Sequence, residues 1–573
     1  MSRALPLAVL TTTAAAALLG ALPSGAAARD GSRLRPTVEG RDGIVVSESY
    51  AASRAGRAVL EQGGNAIDAA VTTVFALGAA RPQSCGIGGG GFMVYRSASG
   101  ATRSLDFRET APAAYTPRTL DPPGLHKAFT GHLPVGVPGT LAGMDSALAR
   151  YGTIDLATAL APAERLARTG VEVPASLSKA MTANAARLKL FPASSQFLRA
   201  GSAYAPGDTL RLPELAASLR RIQREGPGAL YGGTIGRRIV RDMVRARPQT
   251  KDAGLLRLSD LKAYRAIWRT PLEGSYRGRQ VVAAPPPSSG GTTILETLNL
   301  LEGFDLKALG QDSADVAHLE GEAQRIAWAD RNAYVADPGF VGQPTEGLIA
   351  KAYANTRRPE IALDRTKAHA AGTFVRAPRA AGEDPNPNGS TTHVSVIDRD
   401  GNAVAVTCTV EQEFGSAVVA PGTGVLLNNE LTDFSAAGTA NQPQAGKRPR
   451  SSIAPTIVVQ GGKPILVTGG AGGSRIIMGV LQTILGRVDF GLGLNQATDA
   501  ERVDSQGTST LSTEQARLDP GAVASLQARG WTLAQQGEYA LAPRVNVAGI
   551  EPDGATAGAS DSRTDQAALA ARR

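Results

Sequence analysis

A polar segment rich in chain breakers gives way abruptly to a strand that opens on a hydroxyl residue, and this junction restricts the chain more than any other feature. From Ala377 to Ser390 the sequence carries Pro378, Pro385, Pro387, Gly382 and Gly389 with no apolar period, the composition of an exposed loop. From Thr391 onward Val394 and Val396 alternate with polar neighbours, Asp398-Arg399-Asp400-Gly401-Asn402 supplies a turn, and Ala403 to Val410 returns as a second strand. The pattern predicts a hairpin whose first residue is a threonine. A three- or five-residue loop about Asp400 sets Thr391 opposite Thr409, close enough for two hydroxyls to hydrogen-bond. A two-residue Asp400-Gly401 turn pairs Thr391 with Val410 instead and separates them. Threonine is at home in strands for packing reasons alone, so the pairing takes its meaning from its surroundings.

The ends and the charge narrow the setting. Met1-Ser2-Arg3 is basic, Ala4 to Leu22 is apolar or small, and Ala26-Ala27-Ala28 offers a small-residue cleavage site, so residues 1–28 are expected to be a secretory signal peptide, with a retained anchor as the alternative. The protein is then secreted, extracellular or periplasmic, with no membrane attachment after signal removal. The net charge of +9 is spread along the chain, which favours anionic small substrates and gives no nucleic-acid footprint. Five scattered histidines and no Cys-x-x-Cys spacing make no case for a metal. Cys85 and Cys408 are left open between two buried thiols and one bridge. For 573 residues, length alone gives about four domains.

Along the chain, Ile44-Val45-Val46 predicts a strand, Ala51 to Gln62 a helix ending at Gly63-Gly64, and Asn65 the cap of a second helix. Gly86-Ile87-Gly88-Gly89-Gly90-Gly91 matches a dinucleotide fingerprint in spacing but precedes strand-like Phe92-Met93-Val94-Tyr95 where a helix is required, so the glycines are assigned to close backbone packing. Leu105-Asp106-Phe107-Arg108-Glu109 ends a strand in a charged pair, which for an isolated arginine is ordinarily a surface ion pair. Pro285-Pro286-Pro287-Ser288-Ser289-Gly290-Gly291 is a rigid bend into a helix. Thr468-Gly469-Gly470-Ala471-Gly472-Gly473-Ser474 runs from the strand Pro464–Val467 to a helix Arg475–Leu485, where exposed N–H groups suit an anion; the lysine of a phosphate-binding loop is missing. Ala567 to Arg573 is expected to fray.

Leu105-Asp106-Phe107-Arg108-Glu109, Pro285 to Gly291 and Thr468 to Arg475, together with Thr391-Thr392-His393-Val394-Ser395-Val396, Asp400 to Thr407, Gly424 to Glu430 with Asp433-Phe434, and Lys447-Arg448-Pro449 with Ser451-Ser452, resemble the γ-glutamyltransferases, members of the N-terminal nucleophile hydrolases. The likeness extends from about residue 43 to about residue 564. It implies an α+β fold, a four-layer αββα sandwich built from two chains of one autocleaved precursor, a large subunit 29–390 and a small subunit 391–573. Cleavage is expected between Ser390 and Thr391, with Thr391 as nucleophile, Thr409 orienting it, and Gly472 and Gly473 as the oxyanion hole. Arg108, Ser451 and Ser452 are expected to bind the donor's α-carboxylate and Glu411, Glu430 and Asp433 its α-amine, with no cofactor.

The chemistry such a residue permits is self-contained. A freed α-amine has a reference pKa of about 7.7 to 8.0 and can take the proton of its own Oγ, so no histidine is needed. Clustered carboxylates are costly without a compensating cation, and the expected cation is the α-ammonium of a γ-glutamyl donor. Many relatives have Asn where this chain has Glu411. Only thirteen residues separate Asp433 from Lys447, where some relatives carry a longer lid, so the pocket is expected to be open. The alternatives are a glutaryl or cephalosporin-type acylase on the same scaffold and an unprocessed secreted binding protein.

Overall fold

In the computed structural model, the strands Ser390–Asp398 and Ala403–Glu411 form the expected hairpin, buried along both lengths. Thr391 pairs with Thr409, Thr392 with Cys408 and His393 with Thr407, and a bulge at Ser390/Thr391 sets Ser390 against Glu411. The wider loop prevails over the two-residue turn because the Asp398 carboxylate accepts the N–H groups of Asp400 and Asn402, each at 3.0 Å. The structure describes Met1 and residues 34–119, 129–244, 253–374, 389–563, 565 and 567–572. The expected signal segment beyond Met1, and the loop from Ala377 to Asn388, lie outside the described residues.

The hairpin is the centre of a seven-stranded front sheet, ordered Ala567–Ala570, Gly43–Ser47, Ser390–Asp398, Ala403–Glu411, Gly90–Arg96, Thr102–Asp106, Ile267–Arg269. A second seven-stranded sheet runs Val38–Gly40, Thr556–Ser560, Arg544–Ile550, Lys463–Ala471, Thr456–Gln460, Arg279–Ala283, Leu272–Tyr276. Strand alternation divides the hairpin's side chains between two cores. Val394, Val396, Val404, Val406 and Cys408 pack outward on the helices Tyr50–Glu61 and Ala66–Ala80, the latter capped by Asn65 as expected. Ile397, Ala403 and Ala405 face Val458, Leu466 and Val547 of the second sheet, which is covered in turn by the helices Gly290–Leu301, Ala314–Tyr334 and Ile476–Val488. Four layers, αββα, result.

Each sheet draws strands from both sides of Thr391, and Arg35 to Arg573 form one unit where length alone gave several. Ala567–Ala570 is not frayed: it pairs with Gly43–Ser47, Ala568 against Val46. Its alanines carry no strand signature, and at Ala570 the strand lies so close to Val38–Gly40 that a Cβ on Gly40 would stand 2.7 Å from the Ala570 Cβ. Cys85 and Cys408 are joined by a disulfide, with Cα atoms 5.5 Å apart. Among the described residues no helix is long and apolar enough to cross a membrane.

The glycine run packs backbone on backbone. A Cβ on Gly88 would stand 1.9 Å from the Leu426 carbonyl oxygen, and one on Gly89 2.0 Å from that of Thr409. Gly89→Ala must push the Thr409 strand aside, so a loss of about 1–3 kcal/mol is expected, measured as a lower urea midpoint at unchanged slope.

Candidate active site

The register brings the two hairpin threonines into contact. Thr391 Oγ1 donates to Thr409 Oγ1 at 3.3 Å, Thr409 Oγ1 donates to the Ser390 carbonyl at 2.7 Å, and the Glu411 N–H donates to Thr409 Oγ1 at 2.8 Å. One hydroxyl therefore touches both the expected nucleophile and the carbonyl oxygen of the bond before it. The Ser390 side chain turns to the Ser84 hydroxyl, 2.9 Å away. His393 lies two residues along the same strand face, but its nitrogens engage Thr407 Oγ1 at 2.7 Å and Ser395 Oγ at 3.0 Å, and burial pushes its pKa down to about 3. It is a neutral structural imidazole.

Arg108 is where the structure departs from expectation. It is 1% exposed, and its two terminal nitrogens are ion-paired with Glu430 and Asp433. Its Nε also lies 3.3 Å from the Pro449 carbonyl, and Nη2 3.2 Å from that of Arg450. Neither the surface pair ordinarily expected of such an arginine nor a site lacking its cation is what the fold provides: the guanidinium already compensates the acidic cluster. The fork is aimed by its backbone, since Tyr264 donates to the Arg108 carbonyl at 2.9 Å and the Arg108 N–H donates to Asp106 at 3.0 Å. Burial raises the Glu430 carboxyl well above its usual range, against the pull of Arg108. The neighbouring Glu109 is pushed up to about 8, again by burial first. Carboxylate oxygens of Glu411, Glu430 and Asp433 lie within 4.8 Å of one another, the one such cluster among the described residues that could hold a metal ion, and Arg108 occupies two of the three.

Arg108, Thr391, Thr409, Glu411, Glu430, Asp433, Ser451, Ser452 and Gly473 line one pocket. Gly472 stands behind this lining, where a Cβ would meet the Pro543 Cα at 3.0 Å; its φ of 140° and the φ of 61° at Gly473 suit glycine. The preceding strand runs on to Ala471, and the helix begins at Ile476 after a 3-10 turn, Gly473–Arg475, so the glycines form the bend between them. Ser452 accepts from Arg331 at 2.8 Å, which also donates to Ser289 Oγ at 2.8 Å, and Ser289 in turn donates to the Ser451 carbonyl at 2.7 Å. The proline-rich bend is thus a brace for the serine pair. Arg331 and Ser84 had no signal in the sequence, lying far along the chain in unremarked segments; Glu109 was visible beside Arg108.

Before the hairpin the chain runs beside two residues of this lining: a Cβ on Gly389 would stand 3.3 Å from the Gly473 Cα and 3.4 Å from Glu411 Oε2. The short segment after Asp433 folds away from it, held where Asn441 donates to the Asp433 carbonyl at 2.8 Å and accepts from the Arg450 N–H at 2.9 Å. No described residue of 434–446 is among the pocket lining.

A family model described as Gamma-glutamyltranspeptidase matches residues 52–571. The chain is 40% identical over 544 residues to the glutathione hydrolase proenzyme of Escherichia coli (strain K12), with 92% of this chain and 91% of that protein covered. It is 39% identical over 538 residues to the acylase ACY 1 proenzyme of Pseudomonas sp. (strain V22), with 92% and 93% covered. Its fold matches the crystal structure of cephalosporin acylase from Bacillus halodurans at TM-score 0.84 and 28% identity, over 97% of this chain and 100% of that one.

Two stability measurements test the charge arrangement. Arg108→Met strands Glu430 without its partner and is expected to cost about 3–5 kcal/mol; adding Glu430→Gln should recover part of the loss in urea denaturation. Glu109 holds a proton in the folded chain up to about pH 8, while the unfolded carboxyl, at its ordinary 4.5, has lost it. The folded state binds the extra proton between those values, so stability falls as pH rises through that window. Glu109→Gln should flatten the decline in denaturation curves taken across it.

Proposed function

The chain belongs to the γ-glutamyltranspeptidase family, and from that premise we propose that it is a proenzyme that cuts itself before Thr391 and then cleaves γ-glutamyl amide bonds. Residues 1–28 direct export, 29–390 become the large subunit and 391–573 the small subunit, the two forming a heterodimer. In self-cleavage Thr391 Oγ attacks the Ser390 carbonyl carbon, while the Thr409 hydroxyl stabilises the developing charge on the carbonyl oxygen it already contacts. The Thr391 nitrogen takes a proton and leaves, an ester joins Ser390 to Oγ, and water releases a Ser390 carboxylate and a free Thr391 amine. Departure of Gly389 frees the space beside Gly473 and Glu411.

In turnover the free amine accepts the Oγ proton and Oγ attacks the donor's γ-carbonyl. Gly472 and Gly473 face the oxyanion, a contribution of about 3–4 kcal/mol for one donor in other hydrolases. The leaving amine takes the proton, and the γ-glutamyl ester on Thr391 passes to water or to the amine of an amino acid or peptide.

The observation that carries the substrate class is the Arg108–Glu430–Asp433 ion cluster sharing a pocket with Thr391. An α-amino-acid head is a zwitterion, so it can enter that cluster without leaving a buried charge uncompensated: its carboxylate takes the Arg108 fork, braced by Ser451 and Ser452, and its ammonium takes Glu430 and Asp433. Glu411 adds a third carboxylate on the ammonium side. A glutaryl group brings only the anion and strands the acids, which argues against the acylase reading; that reading keeps its place because the Pseudomonas ACY 1 proenzyme and the Bacillus halodurans cephalosporin acylase are both similar to this chain.

Hydrolysis of a γ-glutamyl anilide and a glutaryl anilide decides between them. The γ-glutamyl compound should be preferred, and Asp433→Asn should lower its kcat/KM about 10- to 100-fold, the worth of one charge-assisted hydrogen bond, while sparing the glutaryl compound. Preference for glutaryl assigns the chain to the acylases. Thr391→Ala should leave a single uncut chain with activity at background.

A further inference from the structure

The disulfide spans the bond at which cleavage is assigned. Cys85 precedes Thr391 and Cys408 follows it, 323 residues apart, so the cut falls inside the loop that the bridge closes. Resting on that cleavage reading, we propose that the two subunits of the mature protein stay covalently joined through Cys85–Cys408: self-cleavage opens the loop without parting its ends.

The bridge sits directly behind the catalytic hairpin. Cys408 pairs with Thr392 and neighbours Thr409, with its side chain on the opposite face of the strand, in the outer core with Val74 and Phe75. Cys85 follows Ser84, whose hydroxyl contacts that of Ser390. Both cysteines are 1% exposed, which shields both sulfurs from thiolates in solvent. The bridge thus fastens the large-subunit turn at Gln83-Ser84 to the small-subunit strand carrying Thr409. Formation removes one proton and one electron from each thiol as the S–S bond forms, and a disulfide-bearing oxidant takes up both electrons and both protons to become a dithiol.

A tether changes how the subunits part. Two chains held only by packing separate on dilution or denaturation, whereas a cross-link keeps each at high effective concentration for the other. Refolding from urea then becomes independent of protein concentration.

Intact-mass measurement of the purified protein, denatured in iodoacetamide with and without prior dithiothreitol, tests this. Without reductant, one species one water heavier than the uncut disulfide-bonded chain is expected, with no alkyl group; after reduction, two chains, each alkylated on its single cysteine. Two separate alkylated chains without reductant overturn the tether and leave the cleavage reading standing. One chain before and after reduction overturns the cleavage reading and the tether with it, while its alkyl count before reduction still reports whether the bridge exists. Cys85→Ala combined with Cys408→Ala should be cut as before and release the small chain with no reductant. If that variant does not fold, the wild-type masses decide alone.

Discussion

The Thr409 hydroxyl accepts a hydrogen bond from that of Thr391 at 3.3 Å and donates one to the Ser390 carbonyl at 2.7 Å, and the rest of the molecule is arranged to keep it there. The contact depends on strand register, because a slip of one residue turns every hairpin side chain to the opposite core. Several features resist that slip. Asp398 fixes the turn, Cys408 is bonded to Cys85, the Glu411 N–H closes on Thr409, and the glycines before Gly90–Arg96 admit the hairpin so closely that a Cβ would collide with the Thr409 carbonyl. The hairpin that carries the pair lies at the centre of one seven-stranded sheet and packs against a second.

The second constraint is electrostatic. Taking Glu430 and Glu109 out of water opposes ionisation, and Arg108 offsets that opposition from between Glu430 and Asp433. Such an arrangement is poor at admitting a lone anion or a lone cation, because either leaves buried charge unmatched. It is well suited to a molecule carrying both charges on one carbon. On the proposed reading, substrate selection and fold stability draw on the same three side chains, so a change at any one of them should alter both.

How much was legible in the sequence varied with the range of the interaction. Thr391 opposite Thr409 followed from a local count about Asp400, and the Asn65 cap from a local motif, because hairpins and helix starts are set by adjacent residues. Glu411, Glu430 and Asp433 were expected near one another and are. That Arg108 is their counter-ion was missed: a fork buried by folding looks, in one dimension, like an arginine at a strand end. Arg331 and Ser84 reach the site across some 120 and 306 positions, with no periodicity to announce them. Ala567–Ala570 was misjudged because an alanine-rich chain end carries little strand propensity, while its partner strand, Gly43–Ser47, lies at the far end of the sequence.

All of this supports one claim, that an internal threonine becomes a chain terminus and acts there as nucleophile and base together. N-terminal sequencing of the small subunit from the mature protein tests it most directly. The account predicts a chain beginning Thr391-Thr392-His393. A small chain starting at any other residue, or an active protein with the Ser390–Thr391 bond intact, would contradict it.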